Sequence, residues 1–268
     1  MNIDAFGLEN KVCVVSGAGG GIGKSIAHRL AEVGAKVAII DNNAAAGDAA
    51  AEELRASGGI ASAFQCDISN PESVETAAKQ IADALGGCNV LVNNAALVKN
   101  GSLSDLSLAD WNAVISVNLT GFFLCSQVFG RQMMAGGGGS IVHVSSIAGS
   151  MPQPNSGAYS VSKAGVMMLS RHIALEWGEA GIRSNVVSPA MVITPMSQTI
   201  YDNREVRAKR ESVVPMRRIG MPDDIAAAVR YFASDLSQYV SGQEIIVDGG
   251  WSSALLAMVP RPGFDKAK

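Results

Sequence analysis

Short apolar runs and amphipathic helical segments alternate from the start of this chain, and that alternation constrains the fold more than any other feature. Lys11–Ser16, Lys36–Ile40, Ala61–Cys66, Asn89–Val92 and Ser140–Val144 are rich in Val, Ile or Ala. Each is followed by a polar or Gly-rich turn and then a helical pattern. Ile22, Ile26, Leu30 and Val33 recur at helical spacing, as do Val74, Ala78, Ile81 and Leu85, with Gly34 and Gly86 where each helix should stop. Strands joined through helices run parallel, and a parallel sheet needs cover on both faces. Further on, Arg183–Ser188 and Glu244–Val247 read as strands, and about Pro222 to Ser234 as a helix. The expected fold is α/β: a doubly wound, Rossmann-type parallel sheet with helices on both faces. No linker or repeat interrupts the 268 residues. Residues 1–268 are therefore expected to form a single domain, with about 251–268 as a C-terminal extension.

Composition removes several function classes. Hydrophobic residues make up 48 % and charged residues 17 %, which excludes a disordered or fibrous chain. A net charge of −3 offers no attraction to nucleic acid or an anionic membrane, so neither is expected as a partner. Glycine or charge interrupts every apolar stretch before membrane-spanning length. Met1-Asn2-Ile3-Asp4 lacks a basic segment followed by an apolar one, so no secretory signal is expected. Cys13, Cys66, Cys88 and Cys125 form no C-x-x-C pair and fit reduced, buried thiols in a cytoplasmic protein. His28, His143 and His172 have no carboxylate or cysteine at ligand spacing, so no metal is expected.

The first strand runs into Gly17-Ala18-Gly19-Gly20-Gly21-Ile22-Gly23 and then into a helix. Glycines let the backbone approach a phosphate closely, and the helix N-terminus attracts the anion. Asp41 closes the second strand, where a carboxylate accepts from adenosine ribose hydroxyls and repels a 2′-phosphate. No Arg or Lys stands at positions 18, 42 or 43, so NAD is expected over NADP. A rival reading starts from Ala18-Gly19-Gly20-Gly21-Ile22-Gly23-Lys24-Ser25, which resembles a P-loop beginning with Ala. Nucleotide hydrolysis would then give Lys24 to a γ-phosphate and Asp41 to magnesium. The plainer account of Lys24 is a solvated lysine one turn into a helix.

Tyr159 and Lys163 stand one helical turn apart, so both project from the same face, which continues through Val166, Ser170, Ile173 and Trp177. A lysine opening an apolar stripe needs a partner, because an unpaired buried ammonium is costly. A free phenol titrates near pH ~10, and a cation one turn away favours phenolate. Asn118 lies in another stripe, with Trp111, Ile115, Phe122, Cys125 and Phe129, and must find hydrogen-bond partners there. Ser146 follows the strand Ser140–Val144, at the end of the sheet where doubly wound proteins bind ligands. Its hydroxyl could meet a substrate oxygen or cap a turn.

Taken together, these residues resemble the short-chain dehydrogenase/reductases. Gly17-x-x-x-Gly21-x-Gly23 matches that family's cofactor turn. Asn93-Asn94-Ala95, Val117-Asn118, Ser146 and Tyr159-Ser160-Val161-Ser162-Lys163 match its later motifs in order, as do Ser241-Gly242-Gln243 and Val247-Asp248-Gly249-Gly250. The resemblance implies Tyr159 as acid/base, Ser146 on the substrate oxygen and Lys163 on the nicotinamide ribose. Asn118 would anchor a water relay from Lys163 to solvent. It further implies Gly17, Gly21, Ile22 and Gly23 at the cofactor, Asp67 and Ile68 at adenine, Asn94 on the adenosine side, and Val192 and Thr194 at the carboxamide. Ser16, Ala96 and Ala190 depart from the family pattern of Thr, Gly and Gly.

The expected activity is hydride transfer between NAD(H) and a secondary alcohol or ketone. A 3-oxoacyl-thioester reductase and a non-catalytic NAD-binding protein are the alternatives. The family places substrate selection near Leu97, Val98, Met151, Pro152, Pro154, Met191, Met196 and Tyr201, an apolar set here that suits an apolar or aromatic substituent. Ala164, Met168 and Leu175, with Phe123 and Val128, form second apolar faces on two helices, and a homotetramer is expected to bury them.

Overall fold

The structure, a computed structural model, describes residues 6–254 together with Leu256 and Val259. Met1–Asp4 and most of the C-terminal extension lie outside the described residues. Seven parallel strands form the sheet: β1 (Val12–Ser16), β2 (Lys36–Asp41), β3 (Ile60–Gln65), β4 (Val90–Asn93), β5 (Gly139–Val144), β6 (Ile182–Pro189) and β7 (Glu244–Val247). Their order is β3-β2-β1-β4-β5-β6-β7. The chain starts in the middle, winds outward to β3, then crosses back to β4 beside β1. The loops leaving β1 and β4 therefore diverge to opposite sides of the sheet, and a crevice opens between them.

The helices that cover the sheet are α1 (Gly21–Ala31), α2 (Ala44–Ala56), α3 (Pro71–Leu85), α4 (Leu108–Ile115), α5 (Gly121–Ala135), α6 (Tyr159–Trp177), α7 (Gln198–Asp202), α8 (Arg204–Val213) and α9 (Pro222–Ala233). On one face Ile26, Leu30, Val229 and Phe232 of α1 and α9 pack on Cys13, Val15, Val37 and Ile39. On the other, Ile81, Phe122, Phe129 and Val166 of α3, α5 and α6 pack on Val14, Ile40, Leu91 and Ile141. Burying each such side chain is worth about 1.5–3 kcal/mol, which explains why the strands read as continuous apolar runs. Local signals set the helix ends: Asn70 accepts from Ser73 N–H at α3, where Pro71 occupies the first turn.

Four features depart from the sequence expectations. Leu108–Ala135 is one helical run of 28 residues with mean hydropathy 1.5, long and apolar enough by composition to cross a membrane. Half of it is buried against the sheet, with Phe122, Cys125, Phe129 and Met133 in the core. A π-turn, Ser116–Thr120, joins its two parts. Val128, expected on a second apolar face, is buried in the α5 core contact. Finally, α8 has no buried residue, so it carries none of the apolar periodicity by which a helix is recognised. The four cysteines are free and buried, and burial pushes the Cys13 thiol up to about 12.

Candidate active site

One end of the crevice is a glycine turn between β1 and α1. Gly21 takes φ +54°, a left-handed conformation that opens the first turn of α1. Gly23 is buried under the turn: a Cβ there would lie 2.3 Å from Gly17 O and 2.5 Å from Asn94 Nδ2. Asn94 Nδ2 donates to Ser16 O at 3.0 Å and Gly17 O at 3.1 Å, while Ser16 Oγ accepts from Asn94 N–H at 2.9 Å. The ends of β1 and β4 are thereby locked together. At the end of β2, the Asp41 carboxylate accepts from Gly19 N–H at 2.9 Å and Asn43 N–H at 3.0 Å. Two backbone donors thus fix its charge beside the turn. Lys24 pairs with Glu53 of α2 and does not line the crevice, so it is not the phosphate contact a P-loop requires.

The other end is built from β5 and α6. Ser146 follows β5, and its hydroxyl accepts from Ala148 N–H at 3.2 Å and donates to Pro189 O at 3.5 Å. Lys163 is wholly buried, with Nζ donating to Val144 O at 2.8 Å and standing 5.2 Å from the Phe122 ring centroid and 5.7 Å from that of Tyr159. Burial alone pushes its ammonium down to about 7. Burial also raises the Tyr159 phenol above its usual value, and the contact with the Ser146 hydroxyl draws it part of the way back. In this arrangement desolvation therefore outweighs the expected pull of the lysine toward phenolate. Behind Lys163, His143 stacks on Phe122 at 6.0 Å, and burial first, then the nearby lysine, holds its imidazole neutral at about 3.

Asn118 sits in the π-turn and grips Leu97 twice, accepting from its N–H at 2.7 Å and donating to its carbonyl at 2.9 Å. The crevice encloses about 580 Å³. It brings together Gly17, Gly21, Ile22, Asp41, Asp67, Ile68, Asn94, Leu97, Val98, Ser146, Tyr159, Lys163, Val192, Thr194 and Met196. Gly23 and Asn118 stand behind the wall and shape it. Five residues expected near the substrate are elsewhere. Met151 lies half exposed on the loop after β5, off the crevice. Met191 faces a separate cavity of about 230 Å³ with Met216 and Arg218, because its neighbours Ala190 and Val192 take the crevice side of an extended segment. Tyr201 is buried under Arg210, and Pro152 and Pro154 are exposed, all three off the crevice.

Residues 17–252 match the family model described as enoyl-(acyl carrier protein) reductase. The chain is 37 % identical to the D-threitol dehydrogenase of Mycolicibacterium smegmatis, over 92 % of this chain and 95 % of that protein. The chain belongs to the short-chain dehydrogenase/reductase family. Other members similar to it include the 3-oxoacyl-[acyl-carrier-protein] reductase of a Synechocystis species, 36 % identical over 91 % of this chain and 97 % of that protein. Among solved structures, the gluconate 5-dehydrogenase of Burkholderia cenocepacia in complex with NADP and tartrate superposes with a TM-score of 0.90, at 30 % identity over 95 % of this chain and all of that one. The fold, the family and a hydride-transfer oxidoreductase activity with a nicotinamide cofactor follow.

Within this family member, three contributors escaped the sequence. Ser145, buried beside Ser146, donates to Lys163 O at 2.9 Å and ties β5 to α6. Ala95 and Pro195 add apolar lining. The period-two rule could have placed Ser145 on the face covered by α6, since Ile141, His143 and Ser145 alternate to one side.

Proposed function

We propose that this enzyme transfers a hydride between NAD(H) and a secondary alcohol or ketone bearing an apolar or aromatic group. The observation that carries the reading is convergence: the Tyr159 and Ser146 hydroxyls and the Lys163 ammonium meet at one end of a crevice whose other end is the glycine turn with Asp41. The residues fit a dinucleotide, since Gly21 opens the turn and Gly20, at the α1 N-terminus, would meet nothing within 4 Å of an added Cβ. A bound nicotinamide supplies the acceptor or donor of hydride. Tyr159 then holds the proton that the substrate oxygen loses or gains, Ser146 hydrogen-bonds that oxygen, and Lys163 supplies positive charge beside the phenol. The apolar wall of Leu97, Val98, Pro195 and Met196 supports the substrate class. A panel of alcohols and ketones assayed with both NAD(H) and NADP(H) tests it. Turnover confined to polyols or sugar acids would overturn the substrate assignment.

The cofactor assignment rests on Asp41, whose charge is fixed at the turn by Gly19 and Asn43. Asp41→Ala is expected to weaken NAD and relieve repulsion of a 2′-phosphate, raising the NADP/NAD ratio of kcat/KM by about tenfold. A wild type that already prefers NADP(H) would refute the role given to Asp41. A 3-oxoacyl-thioester reductase is the second reading, favoured by the similarity to the Synechocystis enzyme. The same panel separates the two.

A homotetramer is the proposed assembly. Met168 and Leu175 of α6 are 57 % and 81 % exposed, and Phe123 of α5 is 44 % exposed, although each helix already buries another apolar face in its own core. Sedimentation equilibrium should give four times the 27.7 kDa chain mass, and a monomer would remove the proposal.

A further inference from the structure

Ser162 precedes Lys163 on α6, is wholly buried and does not line the crevice. Its Oγ donates to the Tyr159 carbonyl at 2.7 Å and accepts from Asn118 Nδ2 at 3.2 Å. Asn118 spends the rest of its amide on the backbone of Leu97. A continuous hydrogen-bonded chain therefore runs from Leu97 on the crevice wall, through Asn118 in the π-turn and Ser162, to the backbone of Tyr159.

Helix formation does not explain this serine. Alanine is the better helix former and fits the same space, whereas a serine hydroxyl inside a helix competes with the backbone. What the hydroxyl adds is a link to a second element. On its other side the first turn of α6 is already tied to β5, by Ser145 Oγ to Lys163 O and by Lys163 Nζ to Val144 O. The Ser162–Asn118 bond supplies the opposing tie. Two ties on opposite sides fix the rotation of the turn, and with it the aim of both Tyr159 and Lys163.

We infer that Ser162 is a positioning residue, holding the Tyr159 hydroxyl against Ser146 by clamping the first turn of α6 to the π-turn. The inference rests on the proposed acid/base role of Tyr159. Without the oxygen, one N–H of Asn118 is buried and unpaired, and the amide must give up either its geometry or its hold on Leu97. The turn is then held from the β5 side only. Among the described residues, the charged group beside Tyr159 is Lys163 on α6, with His143 of β5 behind that lysine and held neutral, while the crevice carboxylates Asp41 and Asp67 belong to the far end. A change in the Tyr159 titration therefore reports its contact with Ser146 and its distance from Lys163.

The test is an ultraviolet difference titration of Tyr159 with saturating NAD, each protein being compared with its own Tyr159→Phe counterpart. Ser162→Ala should raise the phenol midpoint by about one pH unit, because the contact that lowers it is loosened. It should lower kcat by about tenfold for an alcohol the wild type oxidises, since misaim of an acid/base costs rate. The NAD Kd should stay within about twofold, because no cofactor contact is removed. Ser162→Thr, which keeps the oxygen, should restore the midpoint. Asn118→Ala with Ser162→Ala should be no slower than Asn118→Ala alone, as both break one link. An unchanged midpoint in Ser162→Ala, or losses that multiply in the double variant, would overturn the inference. Should alanine prevent folding, Ser162→Cys, a weak acceptor of similar size, is judged by the same criteria. The titration needs no substrate, so a panel in which no alcohol is oxidised would refute the proposed function and still leave the Ser162 inference decided.

Discussion

Replacing Tyr159 by phenylalanine is expected to cut kcat by about a hundredfold or more, the usual worth of a positioned acid/base. The ring volume is kept, and the Lys163 bond to Val144 O does not involve the phenol, so NAD should still bind. Single-turnover hydride transfer at saturating NAD isolates the step. Near-normal turnover would remove Tyr159 from the mechanism.

The pH dependence carries a second, directional expectation. Burial favours the neutral phenol and, separately, the neutral amine, so each group alone resists its charge. Side by side the phenolate and the ammonium are counter-ions, which opposes the effect of burial on both. Oxidation of an alcohol uses phenolate and should accelerate as pH rises through the raised midpoint. Reduction of a ketone uses phenol and should hold its rate up to that midpoint, then fall. Profiles of kcat/KM in both directions decide this, and a rate of oxidation that declines with rising pH contradicts the assignment.

Much of this architecture was legible because its signals are local. Strands buried on both faces become short apolar runs, so Glu244–Val247 coincides with β7 and the other strands lie within a residue or two of their expected ends. Tyr159 and Lys163 share a face by helical spacing alone. What escaped depends on contacts distant in sequence. The π-turn at Ser116–Thr120 has no composition of its own, yet it carries the Asn118 side chain to Leu97 and Ser162, the latter 44 residues away. Met191 was misplaced because an apolar side chain in an extended segment suits either side, and only the register of Val192 against Gly220 selects the separate cavity. The α8 helix, which buries no face, is held instead by its cap, Asn203 accepting from the N–H groups of Glu205 and Val206.

Gly23 shows how strictly the glycine turn is packed, and the smallest substitution there should have a large effect. Gly23→Ala places a methyl 2.3 Å from Gly17 O, 2.5 Å from Asn94 Nδ2 and 2.9 Å from the Ala18 Cα. Two of those atoms are backbone, and the third belongs to an amide already bonded to Ser16 O and Gly17 O. None is the free end of a flexible side chain, so the turn itself must move. Overpacking of this kind costs about 1–3 kcal/mol, which for a chain of this size lowers Tm by roughly 2–12 °C. On the proposed reading the displaced Gly17–Ala18 backbone would be the floor for a dinucleotide, so NAD affinity should fall by at least about tenfold. Gly20→Ala is the matched control for stability, because a Cβ there meets nothing within 4 Å and its backbone is extended. Thermal unfolding of the two variants separates packing from composition, and NAD titration of Gly23→Ala against the wild type reads the effect on the cofactor. A Gly23→Ala protein with unchanged Tm and unchanged NAD affinity would show that the turn yields freely, and the rigid dinucleotide site proposed for this crevice would then be wrong.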